Sequence, residues 1–242
     1  MRLRDMGRLS LLATAAALLA ACGGDDDDDG GTVSEPMRYE IRVTNLTAGQ
    51  PLSPVLVALH DPALDLLEVG EPVSVELEQL AEGGDNEPLL AALQSSEGLV
   101  AVQGGSGPIG PGDSTTLMLE VTEDTPAPRL SVVTMLVNSN DALAVLDGAT
   151  LDDLAIGAGL SYALDSYDAG TEANDESADA IPGPAAAGGG QVGFDPARDD
   201  VADRLSAHPG VVTADDGLTG SVLGDLQRWD NPVARVRVTR LQ

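Results

Sequence analysis

An antiparallel β-sandwich carrying two short inserted helices is the fold class that this sequence predicts for residues 37–242, and three observations predict it. Apolar and polar residues alternate with period two at both ends of that range. Strand-like segments follow one another from Leu99 to Val137 with no helix between them, which favours antiparallel pairing through loops over parallel crossovers. Helical periodicity is confined to residues 73–94, after the second strand.

In Met37–Asn45, Tyr39, Ile41 and Val43 alternate with Arg38, Glu40 and Arg42, the pattern of a strand with one buried face. Pro51 and Pro54 punctuate a turn before the apolar run Val55–Leu59, a second strand. Val73, Leu77, Leu80 and Ala81 then share a helix face, with Glu76, Glu78 and Glu82 expected outside and Gly83–Gly84 as the stop. A second short helix spans Glu87–Gln94. Strands follow at Leu99–Val102, Ser114–Val121 and Arg129–Val137, the first two joined by the proline-containing loop 104–112. In the closing segment Val233–Leu241, Ala234, Val236 and Val238 face one way and Arg235, Arg237 and Arg240 mostly the other; so regular a strand is expected to pair with the first. Residues 173–232 are rich in Gly, Pro, Ala and Asp, with Gly188–Gly190 at their centre, and read as long loops.

The 242 residues are 43% hydrophobic, enough for one substantial core, but 40 Asp and Glu face 12 basic residues, all Arg, for a net charge of −28. That charge, with only five aromatic residues, argues against nucleic-acid binding and against electrostatic attraction to anionic lipid. A single cysteine excludes an internal disulfide framework and a thiolate metal cluster.

The cysteine has another use. Arg2, Arg4 and Arg8 precede an apolar run, Leu9–Ala21, that is too short to span a bilayer and reads as a signal peptide. Its end, Leu19-Ala20-Ala21-Cys22, resembles the lipobox of bacterial lipoproteins, which implies cleavage before Cys22 and acylation of that residue as a membrane anchor. Gly23 after the cysteine, rather than Asp, favours the outer membrane or cell surface in a Gram-negative envelope. Residues 22–36, with the aspartates Asp25–Asp29, cannot bury enough surface to offset ordering and read as an acidic, disordered tether. Residues 1–21 carry three Arg and one Asp, so the 221 residues that follow have net charge −30.

Four segments, in order, carry a family resemblance. Ser53–Gly83 contains Ser-Pro-Val-Leu-Val-Ala-Leu-His, Leu-Leu-Glu-Val-Gly-Glu-Pro-Val-Ser and Leu-Glu-Gln-Leu-Ala-Glu-Gly; Thr134–Asp141 reads Thr-Met-Leu-Val-Asn-Ser-Asn-Asp; Tyr167–Glu172 reads Tyr-Asp-Ala-Gly-Thr-Glu; and the end reads Pro-Val-Ala-Arg-Val-Arg-Val-Thr-Arg from Pro232. Together they resemble the spondin domain of F-spondin, mindin and many bacterial envelope proteins. The resemblance implies a sandwich related to calcium- and lipid-binding modules, with calcium held by acidic loops at one end. Its ligands fall on Asp141, Asp168 and Glu172, the last in place of the family's usual Asp.

The chemistry is reasonable in its own right. Calcium takes six to eight oxygen ligands, and Asp168 and Glu172 flank Gly170 in what can be a tight turn, with Asp141 arriving from a separate loop. Three converging carboxylates repel one another unless a cation is shared.

Enzyme readings have less support. With only two histidines, His60 and His208, and Cys22 assigned to lipid, there is no three-ligand zinc cluster of the usual type. No nucleophile-elbow glycine pattern surrounds a serine. His60 reads as a partly buried, hydrogen-bonded sandwich residue, and Tyr162, Tyr167, Phe194 and Trp229 read as core rather than sugar platforms. The expectation is a non-enzymatic, lipid-anchored, calcium-binding envelope module that adheres to an extracellular protein or glycan. Two alternatives stand beside it: a secreted or periplasmic hydrolase using the acidic loops, and a metal-free structural lipoprotein.

Overall fold

The computed structural model describes residues 35–122, 128–186 and 193–242. The expected signal peptide, Cys22 and all of the tether except Glu35 and Pro36 lie outside the described residues, as do Gly188–Gly190.

The strands are β1 (Met37–Asn45), β2 (Leu56–His60), β3 (Leu99–Gly104), β4 (Ser114–Val121), β5 (Arg129–Met135), β6 (Ala142–Thr150), β7 (Gly159–Asp168), β8 (Ser206–Ala207) and β9 (Ala234–Arg240). All pairings are antiparallel, and the hydrogen-bonded path runs β3-β2-β5-β6-β7-β9-β1-β4, with β8 on the end of β7. Strand β7 belongs to both layers: Gly159–Leu164 pairs with β9, and Asp165–Asp168 pairs with β6. One layer is therefore β4-β1-β9-β7 and the other β7-β6-β5-β2-β3. The closing strand pairs with the first as expected, with Ile41 opposite Val238 and Val43 opposite Val236.

The alternation in β1, β4 and β9 arises because their layer buries one face. Tyr39, Ile41, Val43, Leu117, Leu119, Val236 and Val238 point into the space between layers and meet Val57, Leu59, Leu130, Val132 and Ala144 there. The second layer is covered on both faces, so all five residues of β2 are buried and its sequence is a continuous apolar run. Its outer face, Leu56, Ala58, Val133, Leu143 and Val145, lies under helix α1 (Val75–Gly83) and helix α2 (Glu87–Gln94). Ser74 caps α1, accepting from Leu77 N at 3.3 Å, so the helix begins two residues after Val73. Gly84, at φ 68°, ends it and donates to Leu80 O. Leu77 and Leu80, both fully buried, each contribute on the order of 2–3 kcal/mol to holding α1 on the sheet.

One expectation for α1 is overturned. Glu78 and Glu82 are buried, not solvent-facing. Residues 193–205 cross the helix as a strap. Arg198 donates to Glu78 Oε2 at 2.8 and 2.5 Å and to Val73 O at 2.9 Å. The backbone N–H of Asp195 donates to Glu82 Oε2 at 2.8 Å. A helix whose second face is covered from over a hundred residues away cannot be read as such from its own periodicity.

Strands β6 and β7 were not anticipated. Alanines, glycines and aspartates, weak strand formers, fill much of both, and their places in the sheet come from partners on each side. Among the described residues, 173–232 holds only β8 and three single-turn 3₁₀ helices, packed around a small apolar cluster of Ile181, Ala186, Val211 and Leu223.

Candidate functional site

The three expected acidic residues lie at one end of the β6–β7 pair. Ala142 stands opposite Asp168, and the Ala169 N–H donates to Asp141 O at 3.3 Å, so Asp141 and Asp168 sit side by side where the two strands meet. The polar loop before Asp141 is itself buried and pinned. Ser139 Oγ accepts from Ala142 N at 3.0 Å, and Asn138 is tied to Gly49 and Ala185. Asn140 Oδ1 accepts from Glu176 N at 3.3 Å. Held this way, Asp141 is completely inaccessible to solvent.

Asp141 Oδ2 accepts three hydrogen bonds, from Thr171 N at 2.7 Å, Glu172 N at 3.1 Å and Thr171 Oγ1 at 3.2 Å. Its other oxygen, Oδ1, is buried and has no partner. Burial, and then the charge of Asp168, raise the Asp141 pKa to about 7 against the three hydrogen bonds.

The turn after β7 depends on Gly170, which adopts φ +74°. A Cβ there would lie 2.4 Å from Arg204 O and 2.7 Å from Ala202 O, so only glycine allows the turn to nest against the strap. The turn brings Glu172 beside Asp141. Glu172 Oε2 is buried without a partner, and its pKa rises to about 8 through burial and then the charges of Glu82, Asp141, Asp199 and Asp175. Asp168 is adjacent but differently engaged: its Oδ1 accepts from Gly170 N at 2.9 Å and its Oδ2 from Asn174 Nδ2 at 2.5 Å.

Two further residues join the cluster that the sequence did not single out. Glu82 keeps Oε2 on the strap, but its Oε1 is buried with no hydrogen bond. The Thr171 hydroxyl lies near both Asp141 and Glu82, but its single proton goes to Asp141. Burial, with the charges of Glu78 and Asp195 adding, raises the Glu82 pKa against the hydrogen bond from Asp195 N. Asn174 Oδ1 is likewise buried and unpartnered. One signal for Glu82 existed: Glu78 and Glu82 are four apart on α1, a like-charge spacing that weakens a solvated helix.

Four buried side-chain oxygens without donors, on Asp141, Glu172, Glu82 and Asn174, thus lie around coupled acids. Buried polar atoms normally find a partner, and an all-oxygen set of this kind suits a hard cation. Among the described residues, no three Asp, Glu, His or Cys side chains converge closely enough to form a ready-made metal-binding group. Asp168 in particular has both oxygens turned to protein donors.

The remaining candidates are structural in their surroundings. His60 is buried, with Nε2 2.8 Å from Ser131 Oγ and Nδ1 3.0 Å from Asp61 O. Tyr162, Tyr167, Phe194 and Trp229 are half-buried rather than core residues; Trp229 donates to Ser166 Oγ at 2.9 Å and leans on His208, ring centroids 5.0 Å apart. A cavity of about 530 Å³ is lined by Thr47, Pro209, Arg228 and Trp229, not by the acidic cluster. No helix among the described residues is long and apolar enough to cross a membrane.

The sequence matches no family model and no curated protein. What is established at the level of class is a mainly β protein, with nine antiparallel strands in one nearly closed sheet folded into two layers, and two short helices, among the described residues.

Proposed function

We propose that this chain is a lipid-anchored, calcium-binding module of the cell envelope that acts in adhesion or extracellular ligand binding rather than in catalysis. The observation that carries the reading is Asp141, a fully buried carboxylate with one oxygen saturated by three donors and the other left with none. A carboxylate placed so pays the cost of burial without a counter-charge, and a divalent cation removes that cost. Asp141, Glu172, Glu82 and Asn174 would supply oxygens, and Asp168 would join by releasing Asn174. The absence of sulfur and imidazole from the set favours calcium over zinc. The resemblance to the spondin domain points to Asp141, Asp168 and Glu172, and the lipobox-like end of the N-terminal segment supports a placement at the membrane through Cys22.

Titration calorimetry of EDTA-stripped protein tests the metal. Heat on calcium addition that disappears in Asp168→Ala is the expected result, and no heat from the parent protein would remove the reading. The anchor is tested separately: radiolabelled palmitate should be incorporated by the parent chain and not by Cys22→Ser.

A further inference from the structure

The outer face of the β4-β1-β9-β7 layer has a charge opposite to the rest of the molecule. Side chains leaving this face are Ser114, Thr116, Met118 and Glu120 from β4, Arg38, Glu40, Arg42 and Thr44 from β1, Arg235, Arg237 and Thr239 from β9, and Gly159, Ser161 and Ala163 from β7. It holds four of the nine arginines of residues 37–242 and two carboxylates, with Asp165 next along β7 at its margin, in a chain of net charge −28. Arg38 is paired with Glu120 at 2.5 Å. Among the described residues, the other three arginines have no carboxylate partner. Arg42 donates only to Ser114 Oγ, at 3.2 Å, while Arg235 and Arg237 make no hydrogen bond or ion pair among the described residues.

The register makes the arrangement costly. Arg42 and Arg237 stand directly opposite each other, and Arg235 follows two residues along β9 opposite Thr44. Like charges directly across a ladder destabilise it, and with 40 acidic residues in the chain a neutralising neighbour was readily available. All three guanidinium groups are exposed. Gly159 leaves room for one of them: a Cβ there would be 3.0 Å from Arg237 NH2.

We propose that this face binds an acidic polysaccharide, its anionic groups on Arg42, Arg235 and Arg237 and its hydroxyls on the flanking Thr and Ser side chains. The row Thr116–Arg42–Arg237–Ser161 crosses four strands, about 14 Å at roughly 4.8 Å per strand, and offers donors along its length. Arginine's planar fork suits carboxylate or sulfate bidentately. Its exposed large apolar side chains, Met118 on β4 and Leu46 just beyond β1, stand at opposite ends of the face, the latter beside a hollow of about 320 Å³ shared with Ser161, Ala163 and Arg235, so the arginine row and not an apolar anchor of the kind protein partners use occupies the centre. A bilayer plane would also meet the acidic surface around the patch, whereas a single polymer follows the row. At physiological salt, screening over about 8 Å lets the local patch outweigh the distant acids. The choice of a glycan rests on the extracytoplasmic placement proposed above, but not on the calcium site.

Full-length protein in non-ionic detergent, in EDTA, is assayed by biolayer interferometry at 50 mM salt against heparin, polygalacturonate, neutral dextran, poly-aspartate and phosphatidylglycerol vesicles. Binding to heparin or polygalacturonate, at least tenfold tighter than to the other three, is expected, falling steeply with salt. Arg42→Gln/Arg235→Gln/Arg237→Gln should lose at least tenfold with an unchanged melting temperature. Should the triple variant fail to fold, Glu40→Gln, which removes the unpaired carboxylate from the face, should strengthen binding several-fold. No polysaccharide binding, equal binding to poly-aspartate or to vesicles, or indifference to whichever folded variant is tested overturns the proposal. Because EDTA is present throughout, failure here leaves the calcium reading untouched, and failure of calcium binding leaves this one.

Discussion

Replacing Asp141 by Asn should stabilise the calcium-free protein at pH 8 and abolish its response to calcium. The folded chain raises the Asp141 pKa from 3.8 to about 7, so it holds the proton more tightly than the unfolded chain does. Below about pH 4 both states are protonated and the site costs nothing. Between about 4 and 7 stability falls as pH rises, and above 7 the penalty is constant, because the folded state must then bury an anion. At 1.36 kcal/mol per pKa unit, a rise from 3.8 to about 7 corresponds to about 4 kcal/mol at pH 8. Asn keeps an acceptor for Thr171 and Glu172 without the charge. Allowing for imperfect hydrogen bonding, the variant should gain about 3 kcal/mol in EDTA, or roughly 6–12 °C in Tm for a domain of this size. The advantage should shrink as pH falls from 7 toward 4. His208, whose pKa burial lowers to about 4, titrates alike in both proteins and cancels. Calcium at a hundred times its Kd should return about 2.7 kcal/mol to the parent protein and nothing to Asp141→Asn. Differential scanning fluorimetry across pH 4 to 8, with EDTA or calcium, reads all of these. A variant that melts below the parent in EDTA at pH 8, or a parent indifferent to calcium, would refute the reasoning.

Three other outcomes are expected. Glu82→Gln should weaken calcium binding about tenfold in calorimetry, the equivalent of about 1.4 kcal/mol, whereas Glu87→Gln, exposed at the start of α2, should not change it. Gly170→Ala must place a Cβ 2.4 Å from Arg204 O at φ +74°, and should cost about 3 kcal/mol by urea denaturation with an unchanged m-value. Arg198→Met leaves Glu78, 3% exposed, without its ion pair; a loss of about 2–3 kcal/mol is expected, most of it recovered in Arg198→Met/Glu78→Met.

Much of the framework was legible from local pattern. Strands with one wet face announce themselves by alternation, and β1, β4 and β9 have one, so their boundaries and the pairing of β1 with β9 could be read directly. Helix α2 was legible over Glu87–Gln94 from its clustered leucines, Leu89, Leu90 and Leu93. Strand β6 was not, because Ala142, Ala144 and Gly148 carry little strand preference and their burial is imposed by β5 and β7. Within the site, the motif Tyr167–Glu172 located Asp168 and Glu172 because a glycine turn is a short-range feature. Glu82 was placed on the wrong side of its helix because the strap that covers it begins more than a hundred residues later.

The sequence by itself determined the class of fold and the identity of the acids nearest the β6–β7 end, since alternation and turns are encoded within a dozen neighbouring residues. Only the tertiary structure decided which acids are buried together, which of their oxygens lack donors, and that three arginines of one face have no carboxylate partner among the described residues. Those are consequences of register and of long-range covering, and burial is what turns an ordinary carboxylate into a costly one.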